Sequence, residues 1–82
     1  MSADRDIEIF IVKALAQYQR PMTDDSLRGT IVSAFSHLAL TAGDLGARIS
    51  AVEDKNLIAG TNDELLGKVW LITPKGKIRA QS

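Results

Sequence analysis

The chain has 82 residues, 45% of them hydrophobic and 24% charged, a length that supports one modest core over residues 1–82. Ten acidic residues balance ten basic ones, which argues against a nucleic-acid binder that relies mainly on phosphate contacts. The absence of cysteine excludes disulfides, thiolate metal sites and cysteine nucleophiles.

Residues 4–19 read as an amphipathic helix, since Ile7, Phe10, Ile11, Ala14, Leu15 and Tyr18 share one sector at 100° per residue. Pro21 ends it, because the residue before a proline is pushed out of the helical region. Ile9, Val12 and Ala16 form a second, narrower apolar stripe, expected either to face a second copy in a homodimer or to be covered by the C-terminus.

Thr23 reads as the N-cap of a second helix over 24–37, with Asp24 and Asp25 at the positive end of its dipole and Met22 and Leu27 as a hydrophobic staple. Leu27, Ile31, Ala34 and Leu38 share its inner face. The same start signal recurs at Leu40, Thr41, Asp44 and Leu45, opening a third helix over 42–55. Leu45, Ile49 and Val52 face inward there, and Asn56 is a terminator.

After Asn56 the periodicity changes. Leu57-Ile58-Ala59 is a short strand candidate, Gly60 to Gly67 a polar loop, and Lys68 to Thr73 a strand of β-branched and aromatic residues that buries Trp70. Thr73-Pro74-Lys75-Gly76 reads as a turn, and 77–82 as a tail without assigned structure. The expected class is therefore α+β, a three-helix bundle closed by a C-terminal two- or three-stranded hairpin. No apolar run approaches the ~18 to 20 residues that cross a bilayer, so no membrane partner is expected and the expected location is the cytoplasm.

Leu45 to Gly60, read as Leu-x3-Ile-x2-Val-Glu-x-Lys-Asn-Leu-Ile-x-Gly, resembles the recognition helix and first wing strand of MarR-, PadR- and ArsR-like regulators. Trp70-Leu71-Ile72-Thr73-Pro74-Lys75-Gly76-Lys77 resembles their second wing strand and the Leu-Thr-x-x-Gly-Arg/Lys turn that follows it. Residues 22–78 are thus similar to a winged helix-turn-helix, and the shortness of the chain is similar to stand-alone winged-helix proteins of phages and prophages. The resemblance implies a DNA-binding regulator, with double-stranded DNA as partner, the third helix in the major groove and the wing along the backbone.

On that reading the contacting residues are Arg28, Arg48, Ser50, Lys55, Lys68, Lys75 and Lys77. The alternative is a winged-helix interaction module without DNA binding, favoured by zero net charge and by Asn62-Asp63-Glu64 in the wing loop. Lys68, Lys75, Lys77 and Arg79 form an acid-free end, either a solubilising tail or a phosphate-facing segment. Arg48 reads either as a base or phosphate contact or as a salt-bridged surface residue. His37 has no second ligand beside it and the serines have no recognisable base, so no metal, cofactor, small-molecule substrate or catalytic activity is expected.

Overall fold

The first pattern is realised as helix α1 (Ala3–Tyr18) in a computed structural model that describes residues 3–18 and 20–81. Gln19, the last residue of the expected helix, and Ser82 lie outside the described residues. Ile7, Ile11 and Leu15 are buried as the periodicity requires, whereas Tyr18, expected in the core, is exposed.

For the second stripe on α1 the dimer-face expectation is corrected at Val12, and the C-terminal segment packs on this helix as the alternative expected. Val12 is only 3% exposed and belongs to the core of its own chain, Ala16 is half-buried, and Ile9 alone stays open at 39%. Near the other end of the sequence, Thr73-Pro74-Lys75-Gly76 begins a helix, α4 (Pro74–Ala80), that packs on α1. Thr73 is its N-cap, with Oγ1 accepting from the Gly76 amide at 3.0 Å, and Pro74 occupies the first turn, where its missing N–H costs nothing. The expected turn and tail are therefore helical, and Ala80 packs against the core.

Met22 and Thr23 form a two-residue strand, β1, before α2 (Asp24–Ala34). Thr23 caps α2 by accepting from the Ser26 amide at 3.2 Å. The helix stops three residues short of the expected end. Phe35 leaves the helical region, a 3-10 turn follows over Ser36–Leu38, and Ala39 takes a left-handed φ of 48°. Phe35 meets Phe10 edge to face at 5.5 Å, which anchors this break to α1.

Helix α3 (Ala42–Asp54) opens with the expected capping box, in which Thr41 Oγ1 accepts from the Asp44 amide and Asp44 accepts from the Thr41 amide. It closes with a Schellman pattern: Asn56, at φ 62°, donates to the Glu53 carbonyl and Leu57 to that of Val52. Leu57 and Val52 are both buried, as that motif requires.

Strand β2 (Ile58–Asp63) runs twice as far as its apolar start suggests, pairing antiparallel with β3 (Gly67–Ile72) from Ile58↔Ile72 to Asp63↔Gly67. Thr61, Asn62 and Asp63, read as loop, are held by this ladder, Asn62 and Asp63 despite low strand propensity. Gly60 lies opposite Trp70, where a Cβ would stand 2.6 Å from Lys68 Cε. β1 joins the other side of β3, giving the order β1-β3-β2. The described residues are thus α+β, four α-helices and a three-stranded antiparallel sheet around one apolar cluster that holds Leu27, Ile31, Leu45, Ile49, Val52 and Trp70. Among the described residues, no helix is long and apolar enough to cross a membrane.

Candidate nucleic-acid interface

Arg48 of α3 and Lys55 at its C-cap both turn back toward α1. Arg48 Nη1 donates to Glu8 Oε2 at 2.8 Å and lies 3.7 Å from Asp4 Oδ2. Lys55 Nζ donates to Glu8 Oε1 at 2.7 Å. The Glu8 side chain is 15% exposed, and the Lys55 hydrogen bond, reinforced by Arg48, outweighs desolvation to hold its carboxyl below the usual glutamate value. A carboxylate with a cation on each oxygen therefore clasps α3 to α1.

Arg28 is also engaged. Its Nε donates to Asp24 Oδ2 at 2.8 Å and its Nη1 to the Ala42 carbonyl at 3.3 Å, tying α2 to the start of α3. The other Asp24 oxygen accepts from Trp70 Nε1 at 2.9 Å, so a residue read as a dipole partner also fixes the buried indole. Lys68 Nζ lies 4.9 Å from the centroid of the Trp70 ring, within cation–π range. Lys75 Nζ donates to the Lys55 carbonyl at 3.0 Å, on the negative end of α3. Of the seven expected contacts, Ser50, Lys68 and Lys77 are exposed side chains with no hydrogen bond or ion pair to the described residues, Lys68 keeping only its contact with the Trp70 ring.

What α3 presents to solvent is set by its period. Gly43, Ala47, Ser50 and Asp54 share the exposed face, with Asp44 exposed beside them and Gly46 and Glu53 half-exposed. That face holds three carboxylates, small side chains and no cation.

The tip of the β2–β3 hairpin is acidic and apolar. Asp63 Oδ1 accepts from the amides of Leu65 at 2.8 Å and Leu66 at 3.0 Å, and these bonds lower its pKa. Gly67, at φ 78°, closes the three-residue connection Glu64 to Leu66. The turn projects two leucines, Leu65 at 95% and Leu66 at 62% exposure.

Glu8, Leu65 and Leu66 escaped the sequence reading. Asp4 and Glu8 stand four residues apart on one helix, a repulsive spacing unless a cation serves both, and that signal points to a partner such as Arg48. Two adjacent leucines inside a run of turn residues were the corresponding sign at the hairpin. His37 sits exposed in the 3-10 turn with its ring 6.4 Å from that of Phe35. Among the described residues no cluster of three potential ligands could hold a metal ion. No family model, no curated protein and no solved structure matches this chain.

Proposed function

We propose that this chain is a winged-helix protein-interaction module that does not read DNA. The order α1, β1, α2, α3, β2, β3, with α3 following α2 after a short connection and the hairpin as wing, supports the winged helix-turn-helix reading. One observation carries the functional half. The exposed face of α3 offers carboxylates and small side chains, while its Arg48 and the Lys55 at its C-cap are spent on Glu8. A major-groove reader needs side chains that reach base edges and cations that meet phosphate, and this face supplies neither apart from Ser50.

A second reading keeps double-stranded DNA as partner and regulation of transcription as role. It is favoured by the acid-free end, where Lys68, Lys75, Lys77 and Arg79 lie with no carboxylate in residues 68–82. Titration of the full chain with a labelled mixed-sequence duplex separates the two. The interaction-module reading expects no binding even at low salt. The DNA reading expects binding whose log K falls with log salt by about 0.9 per phosphate contact, and that result overturns the first proposal.

A further inference from the structure

We propose that the hairpin tip, Leu65 and Leu66, docks on α4 of a second copy of this chain, in a reciprocal two-fold pair. This rests on the interaction-module reading and names its partner.

Exposed single leucines mean little, but these two are adjacent and their turn is already fixed. Asp63 bonds both of their amides and Gly67 supplies the left-handed closure, so the tip loses little freedom when it binds. Asp63 and Glu64 immediately precede the leucines. Their charges are repelled by anionic lipid and by phosphate, and they suit an apolar patch edged by cations.

Helix α4 offers one exposed apolar residue edged by cations. The Ile78 side chain is 70% exposed, and the side chains of Lys77 and Arg79 beside it are exposed as well. Placement favours a second copy. β3 separates the two features, with the tip at its first residue and α4 after its last, about 20 Å apart for six residues at ~3.3 Å each. Two hairpins laid antiparallel across a two-fold axis bring each tip to the other α4 at once, as an isologous interface requires. The sheet order leaves β2 at the margin, and among the described residues no strand occupies its outer side.

Both contacts are small, so the pair belongs with weak interfaces below ~1,200 Å². Sedimentation velocity of the full chain, followed from about 10 to 500 µM, reads that range. The expected result is a coefficient rising toward the dimer value, with association about tenfold weaker at moderate salt than at low salt. Leu65→Ser with Leu66→Ser is expected to stay monomeric with an unchanged melting temperature, since both side chains already face water. Lys77→Glu is expected to be monomeric, and Glu64→Lys combined with Lys77→Glu to recover the pair. Glu64 is the tip carboxylate to reverse because Asp63 holds the turn. A wild-type chain monomeric throughout, or a double-serine variant that associates like wild type, overturns the proposal. Failure of the underlying reading shows separately, as duplex binding in the titration above.

Discussion

Ala39 holds a left-handed backbone that costs an L-residue roughly 1–2 kcal/mol, and it does so where the chain must turn from the 3-10 segment into the cap of α3. Ala39→Gly removes that strain at some cost in unfolded-state entropy. It should stabilise by about 0.5–1 kcal/mol, raising the melting temperature by a few degrees in thermal unfolding followed by circular dichroism. The reverse exchange at Gly76 acts oppositely. A Cβ there would collide with the Leu57 carbonyl oxygen, so Gly76→Ala should destabilise by about 1–3 kcal/mol even though alanine is the better helix former. An unchanged melting temperature in either variant would contradict the account of that position. Neither residue declares itself in the sequence. Ala39 sits between leucines that continue an apolar pattern, and Gly76 looks like the end of a turn until the close approach of Leu57 is seen.

At the scale of elements, the helices were legible because a 3.6-residue stripe and a capping residue are local signals. Thr23, Thr41 and Asp44 do what their spacing predicts. α4 was missed although Thr73-Pro74 is a cap followed by a first-turn proline, because two flanking glycine and proline positions favour a turn over so short a stretch. The reach of β2 was not legible, since Asn62 and Asp63 become strand only through partners on β3. Arg28, Arg48, Ser50 and Lys68 lie on the elements expected of them, whereas Lys75 and Lys77 stand on α4 and not on a turn and tail. The pairing of Arg48 was hidden because Glu8 is 40 residues away.

The same clasp has a pH signature. Glu8 is held below its ordinary value of 4.5, so its contribution is complete above that value and is lost as acid protonates it in the fold. Asp44 and Asp63 are lowered too, by the amides of the α3 cap and of the hairpin turn, and act in the same direction. Melting temperature followed down through pH 4.5 should therefore fall. Glu8→Gln should cost about 1 kcal/mol at neutral pH and show a shallower fall on acidification. An identical acid profile in the variant would remove Glu8 from this role.

For the whole molecule, charge is sorted although its sum is zero. Carboxylates collect on the open side of α3 and at the hairpin tip, and α4 is purely basic. The radius of gyration, 11.9 Å, matches the ~11.7 Å expected of a compact chain of this length. Compactness depends on α4, which lies against α1. Deleting residues 74–82 should uncover the part of α1 that α4 packs on, cost at least about 2 kcal/mol, and broaden or abolish cooperative unfolding. A truncated chain that melts as sharply and as high as the full one would show that α4 is dispensable.

The packing of α4 on α1 also orders events on the ribosome. Because α1 is translated before α4, the part of α1 that α4 covers stays wet until α4 has left the exit tunnel, so the nascent chain cannot complete its core before then. In that interval it carries an uncovered apolar strip, which is what a chaperone recognises.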